Sequence, residues 1–195
     1  MKRLFSTATA LFLSIALFAG GKEEYKVKKE MSSLDWIGKK VTGSHNGSIS
    51  IKDGMVMVED GKITGGTLIV DMTTIIVEDI EDAETNAKLA GHLNSDDFFG
   101  TANNPTSTLK INKVEQKKGD NFTIHADLTI KGKTEKVEIP ATIINKDGKV
   151  VVVGETQIDR TKFDIKYGSG SFFDNLGDKA IDNLFTIKFK VAAAK

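Results

Sequence analysis

Three histidines, His45, His92 and His125, are the first residues to ask for chemistry, because imidazole is the commonest metal ligand and the usual general base near neutral pH. A catalytic zinc site needs closely spaced His or carboxylate ligands and one open coordination position. These three histidines lie in different segments with no recognised ligand spacing, so no shared metal is expected. His125 falls on the polar side of an alternating segment and is read as solvated. A serine nucleophile would sit on a G-x-S-x-G elbow. Gly168-Ser169-Gly170-Ser171-Phe172 is glycine-rich but does not fit that pattern. No G-x-G-x-x-G or phosphate-loop sequence opens a helix after a strand, so nucleotide binding has no support. Asp96-Asp97 is an adjacent carboxylate pair of the sort found at turns and helix ends, and a glycosidase-type pair stays open only as a minor alternative. The chain has no cysteine, which removes thiolate nucleophiles, thiolate metal sites and disulfides. The residue types point to a binding protein, not an enzyme, and to no metal or other cofactor beyond a bound ligand.

The N-terminus gives a compartment. Met1-Lys2-Arg3 is basic, Leu4 to Ala19 is largely apolar, and small Ala19, Gly20 and Gly21 precede the charged Lys22-Glu23-Glu24. That order is the export pattern, and the apolar part is too short to cross a bilayer comfortably. The chain therefore divides into a signal peptide, 1–21, and one domain, 22–195, expected in the periplasm or secreted. Leu17-Phe18-Ala19-Gly20-Gly21 resembles a lipoprotein cleavage box with Gly21 where the acylated cysteine would stand, so this chain cannot be lipidated there. Lys plus Arg and Asp plus Glu both number 27. No basic excess is present to hold nucleic acid, and loss of Lys2 and Arg3 leaves the mature chain slightly acidic.

The elements that would position any site are strands. Phe122, Ile124, Ala126, Leu128 and Ile130 alternate with polar neighbours, as do Phe185, Ile187, Phe189 and Val191, and Val137, Ile139, Ala141 and Ile143. This period of two is the mark of half-buried antiparallel strands. Eight or nine strands are expected, at about 30–37, 45–52, 54–60, 62–77, 106–117, 121–131, 134–146, 149–159 and 183–191. Asp53-Gly54, Asp60-Gly61 and Asp147-Gly148 read as hairpin turns, as do Lys118-Gly119-Asp120-Asn121 and Lys131-Gly132-Lys133. Ala83 to Leu93 breaks the alternation and reads as one short helix. The stretch from Gly168 to Asp182 reads as a loop or short helix near a barrel mouth. Short turns between sequential strands imply a meander, and closure into a barrel removes its edges. The expected fold is all-β with one short helix: a lipocalin-like closed antiparallel barrel of about eight strands. Such a barrel is either filled by its own side chains or just wide enough for one small ligand. Gly65, Gly66, Ala126, Ala141 and Gly154 either leave room inside or mark bends and bulges.

These residues, taken in order, resemble the YceI-like family across nearly the whole mature chain. The resemblance runs through Ser33-Leu34-Asp35-Trp36-Ile37-Gly38-Lys39, Gly43-Ser44-His45-Asn46-Gly47, Gly65-Gly66, Val70 to Ile75 and Asp79. It continues through His92-Leu93-Asn94-Ser95-Asp96-Asp97-Phe98-Phe99, Asn104-Pro105, Leu128 to Thr134, and Ile158-Asp159-Arg160-Thr161-Lys162-Phe163. It implies an extended lipocalin-like barrel of eight antiparallel strands with a helix, exported, and holding a polyisoprenoid or other long amphiphilic lipid. One departure is visible: Asp164 stands where the family usually carries glycine. No individual ligand contact carries over, because those residues vary within the family.

The expected function is that of an exported carrier or sequestering protein for a long amphiphilic lipid such as a polyisoprenoid, quinone or fatty-acid derivative. Each methylene removed from water gains about 0.8 kcal/mol, so ten give about 8 kcal/mol before association and ordering costs. The candidate ligand-contacting residues are Trp36, His45, Phe98, Phe99, Leu128, Arg160, Phe163, Tyr167 and Phe172. Trp36 is either a plain core residue or a lining ring. His45 either hydrogen-bonds a head group or serves a turn. Arg160 either meets a phosphate or carboxylate bidentately or pairs with a neighbouring carboxylate. Phe98, Phe99, Phe172 and Phe173 are candidates for a mouth or lid, and Phe98-Phe99 could equally anchor the helix. The expected partner is a hydrophobic small molecule, with transient membrane contact and either a monomer or a homodimer. The alternative functions are a stress-related scavenger of small hydrophobic compounds and a hydrolase.

Overall fold

Alternation becomes architecture once the strands pair. The computed structural model describes residues 21–195, so the signal-peptide reading lies, but for Gly21, outside the described residues. The described chain contains β1 (Glu23–Val27), β2 (Ser33–Lys40), β3 (Gly43–Glu59), β4 (Lys62–Val77), α1 (Ala83–Asn94), β5 (Thr106–Gln116), β6 (Asn121–Ile130), β7 (Lys133–Lys146), β8 (Lys149–Asp159) and β9 (Leu184–Ala194). From β2 onward each strand pairs antiparallel with the next, and β9 returns to β2 with Leu34 opposite Phe189 and Trp36 opposite Ile187. The result is the expected closed eight-strand meander with one short helix.

The short β1 is not signalled as a strand by the sequence, and it completes the first stave. β3 pairs with β2 from Lys40↔Gly43 to Asp35↔Ser48, then with β1 from Lys26↔Met55 to Glu23↔Val58. The other edge of β1 meets the end of β9, with Val27 opposite Ala193. β1 and β2 are thus one stave broken by a 3-10 turn at Lys29–Met31. Ser32 fastens the break, donating its hydroxyl to the Lys28 carbonyl at 2.7 Å and accepting the Ala192 amide at 3.0 Å.

The two strands expected at 45–52 and 54–60 are one strand, β3, and Asp53-Gly54 is not a hairpin. The register between β3 and β4 shifts between Ile51 and Asp53, so the dipeptide marks a bulge. The Asp53 carboxylate accepts the Gly54 amide at 2.8 Å. A Cβ on Gly54 would lie 2.8 Å from Val27 and 3.1 Å from Leu68. The glycine is there because β1 packs against it. A strand this long must bend to serve β1, β2 and β4 together, and bulges supply the bend. By contrast Asp60-Gly61, Lys131-Gly132 and Asp147-Gly148 all have positive φ at both residues, the requirement of a two-residue hairpin turn that matches strand twist.

The connections make the two ends of the barrel unlike. One end carries the tight turns at Asp60-Gly61, Lys118-Gly119 and Asp147-Gly148. The other carries the β2–β3 and β6–β7 turns and both long connections, 78–105 with α1, and 160–183. Near the tight-turn end the interior is filled by Tyr25, Val27, Val58, Ile143, Val150 and Ala193. At the other end Phe98, Leu128, Ile130, Phe163 and Ile165 form a second cluster.

Gly154 faces inward opposite Phe189 on β9, but its missing side chain leaves no vacancy. A Cβ there would lie 2.6 Å from the Phe189 ring and 2.6 Å from the Pro140 carbonyl. The ring lies over the glycine. Gly154→Val is therefore expected to destabilise the fold by about 1–3 kcal/mol through overpacking. A urea titration checks this: the midpoint should fall with the slope unchanged, and an unchanged midpoint would show that the ring is not held there.

Candidate ligand-binding site

Barrel closure places the inward residues of eight strands around one tube, and the tube is hollow. A cavity of about 520 Å³ runs inside it, within the ordinary range for small-molecule sites. Its walls are the apolar members of the alternating strands, among them Leu34, Leu68, Val70, Leu109, Ile124 and Ile187. Gly65, Gly66, Ala126, Ala141 and Gly154 are absent from this lining. The room is created where medium-sized chains fail to meet across the barrel, not where small residues stand.

Polar groups enter the lining at the end with the long connections. Lys39, Lys40, His45, Arg160, Lys179 and Asp182 contribute there. His45 opens β3, and its Nδ1 lies 2.9 Å from the Asp79 carboxylate, whose other oxygen accepts the Asn46 amide at 3.0 Å. Burial pushes the Asp79 carboxyl up, but the Asn46 amide and His45 outweigh it, and the net shift is downward. With Nδ1 turned toward a carboxylate, Nε2 is the ring nitrogen left for a guest. Trp36 lines the cavity while its Nε1 donates to the Ile76 carbonyl at 3.1 Å. It sits across from Gly47. A Cβ on Gly47 would lie 1.8 Å from the Ile76 oxygen and 2.9 Å from the Trp36 ring, so the glycine lets β4 and the indole close in on β3.

An aromatic cluster borders the mouth. His92, on the last turn of α1, stacks edge-on against Phe98 at 5.4 Å and Tyr167 at 4.4 Å between centroids. Phe98 meets Phe99 at 5.7 Å, and Phe99 meets Phe185 at 6.3 Å. The helix is capped by Asp82, which accepts the Thr85 amide at 2.9 Å. Asn86 ties it to β4 through the Val77 carbonyl at 2.9 Å. Leu89, His92 and Leu93 of this helix join the lining.

Arg160 is buried, with 2% of its surface exposed. It borders the cavity but pairs with no carboxylate. Its guanidinium donates to the carbonyls of Asp182 at 3.0 Å, Ile165 at 2.7 Å and Ile181 at 3.0 Å. Its charged carbon also lies 5.5 Å from the centre of the Phe98 ring. Burial lowers its pKa, with Asp159 and Asp182 pulling the other way; a guanidinium remains charged regardless. Arg160 thus ties the start of the 160–183 connection to its end. Asp164, where the family usually carries glycine, takes φ 63°, a left-handed conformation that Asp tolerates better than most residues, so the exit from this turn keeps its shape.

Of the nine candidate contacts, Trp36, His45, Phe98, Phe99, Leu128, Arg160 and Tyr167 line the cavity. Phe163 is packed in the second cluster behind it, and Phe172 is half exposed outside. Asp79 was invisible as the partner of His45 because the two are far apart in sequence. The apolar wall residues on β4, β5 and β9 were legible as inward positions by alternation alone.

Comparison with known proteins fits this geometry. The YceI-like domain family matches residues 25–193. A UPF0312 protein of Pseudomonas aeruginosa is 27% identical over 157 residues, covering 73% of this chain and 75% of that protein. The structure is similar to Burkholderia cenocepacia BcnA, with a TM-score of 0.68 and 21% identity over 86% of this chain and 99% of that one. It is also similar to a polyisoprenoid binding domain from Saccharophagus degradans, with a TM-score of 0.61 and 13% identity over 87% of this chain and 97% of that one. At these identities the structural likenesses speak for the fold.

Two outcomes follow from the mouth. Arg160→Ala should cost at least about 3 kcal/mol, because three carbonyls lose a charged donor. Arg160→Lys should restore little of it, lacking the planar fork. Equal urea midpoints for all three proteins would refute this role. The Asp79 carboxyl is depressed, so its hold on Asn46 is present above the ordinary aspartate range and is lost only as pH falls through its lowered value. Protection of the Asn46 amide, relative to its intrinsic exchange rate at each pH, should therefore persist through mild acid and fall below that range, whereas Asp79→Asn should lower that protection at neutral pH.

Proposed function

This chain belongs to the YceI-like domain family, and from that premise we propose that it is an exported binding protein that carries or sequesters one long amphiphilic lipid inside its barrel. The observation that carries the proposal is the apolar cavity of about 520 Å³ inside a closed barrel. The chain would lie among Leu68, Leu109, Ile124 and Ile187, and the head group would sit at the end where His45 and the lysines enter the lining.

Energetics select the length of the guest. Micromolar affinity requires about 8 kcal/mol net. Association costs at least about 4 kcal/mol, so at about 0.8 kcal/mol each some fifteen methylenes must leave water. A polyisoprenoid, a quinone tail or a long acyl chain meets that need. A small hydrophobic compound does not, which argues against the scavenger reading. Among the described residues no group of His, Asp or Glu is placed to hold a metal ion, and no helix is long and apolar enough to cross a membrane. The polar groups of the mouth are arranged to orient a head group, with His45 offering one ring nitrogen.

The sequence contains one tryptophan, and Trp36 lines the cavity, so its emission reports occupancy directly. A polyprenyl quinone should quench Trp36 with a dissociation constant at or below about one micromolar, while a short-chain quinone should bind at least tenfold more weakly. Ile187→Phe, which narrows the cavity beside Trp36, should weaken the long ligand by about tenfold. Protein purified from its own cells should release a lipid on denaturation, seen by mass spectrometry. Chain length without effect on affinity, together with no released lipid, would overturn the proposal.

A further inference from the structure

Of the nine large apolar side chains left well exposed among the described residues, six gather at one end of the barrel, and Met31, Met55 and Ile144 lie elsewhere. Val41, Ile76, Tyr167, Phe172, Phe173 and Leu184 are all well exposed. Each belongs to the strand ends and connections of the mouth end, where the cavity takes on its polar lining. Phe172 and Phe173 form the tip, each half exposed.

The tip is built and braced. The amides of Phe172 and Phe173 both donate to the Ser169 carbonyl at 3.0 Å. Ser169, fully buried, donates its hydroxyl to the Asn183 side chain at 2.6 Å. Asn183 returns a hydrogen bond to the Ser171 hydroxyl at 2.8 Å. The far side of the connection is fixed to β2, with the Asp182 amide on the Lys39 carbonyl at 2.9 Å and the Val41 amide on the Ala180 carbonyl at 3.2 Å. Arg160 clamps its base. This bracing holds two phenyl rings out in water, where a free loop would fold them in.

Charge around the mouth is divided. Residues 78–97, the α1 side, carry seven carboxylates and one lysine. The 160–183 side holds Lys39 and Lys40 on β2, Lys133 on β7, and Lys162, Lys166 and Lys179 in the connection, against four carboxylates between 160 and 182, of which Asp164 pairs with Lys166 at 2.7 Å. Lys131 reaches the α1 side, donating to the Asp96 carbonyl. The Lys166 ammonium lies 5.2 Å from the centre of the Phe172 ring. Aromatic side chains flanked by lysines are the chemistry of an anionic bilayer surface: rings enter the interface and ammonium groups meet phosphates.

We propose that Phe172 and Phe173, with the surrounding lysines, dock the mouth of the barrel onto an anionic phospholipid membrane. The barrel tilts so that the 160–183 side meets the bilayer and the acidic α1 side faces away. The ligand can then pass between bilayer and cavity without crossing open water. This rests on the lipid-carrier reading for its purpose, but its test does not.

Co-sedimentation with vesicles tests it. Wild type is expected to bind phosphatidylcholine vesicles containing about one-quarter phosphatidylglycerol, to bind pure phosphatidylcholine weakly, and to lose binding as salt screens the charges. Phe172→Ser with Phe173→Ser should lower the bound fraction at least tenfold at fixed lipid, while quenching of Trp36 by a polyprenyl quinone stays as in wild type. The two proteins share one N-terminus, so the difference isolates the tip. If that variant fails to fold, Lys133→Glu with Lys162→Glu should abolish the preference for phosphatidylglycerol in a folded protein. Equal sedimentation of wild type and variants overturns the proposal. So does a wild-type dimer that becomes monomeric when the rings are removed, since the tip would then be a subunit interface. Loss of quinone quenching with vesicle binding intact would instead strike the carrier reading and leave docking standing.

Discussion

Everything in this molecule depends on one set of hydrogen bonds, the ladder by which β9 returns to β2. Without it the meander is an open sheet with two unpaired edges and one greasy face exposed to water. With it, every stave has two neighbours, and the apolar faces of all eight turn toward a common axis. Because the backbone is satisfied around the wall, the interior need not contribute any hydrogen bond to the fold. It can therefore be apolar and partly empty. The break between β1 and β2 serves the same closure, since it lets one stave follow a barrel whose neighbour, β3, is long and bent.

Closure also explains the asymmetry between the ends. Short turns alone seal one end, and tyrosine and aliphatic chains fill the space beneath them. The other end must accommodate two long connections, and these bring the polar groups, the helix and the aromatic cluster. Arg160 is the fastening of that end. A buried guanidinium would be costly were it not hydrogen-bonded on three sides, and the three carbonyls it serves belong to a segment with no strand to pair them. The charge is thus employed in holding an irregular loop against the barrel, whereas His45 at the same mouth has only its Nδ1 engaged.

The hairpins at Asp60-Gly61, Lys131-Gly132 and Asp147-Gly148 were legible because their positive φ is a local requirement. Asp53-Gly54 carries the same dipeptide but serves a bulge, because what fixes Gly54 is the side chain of Val27, far away in sequence. Gly154 suggested space, yet Phe189 covers it. Arg160 suggested a ligand or a carboxylate, yet its partners are backbone atoms, which no sequence displays as acceptors. The pairing of His45 with Asp79 and the stacking of His92 on Tyr167 join segments far apart along the chain, and nothing local marks them.

The sequence by itself determined the period of two, the turns, the single helix and the apolar character of the inward faces, because each of these follows from backbone geometry and side-chain polarity within a few residues. Only the tertiary structure decided that the sheet closes around a space and does not fill it, which side chains border that space, and which charges are already committed. Those outcomes depend on how side chains from opposite staves meet across the barrel, a distance over which the order of residues along the chain carries no information.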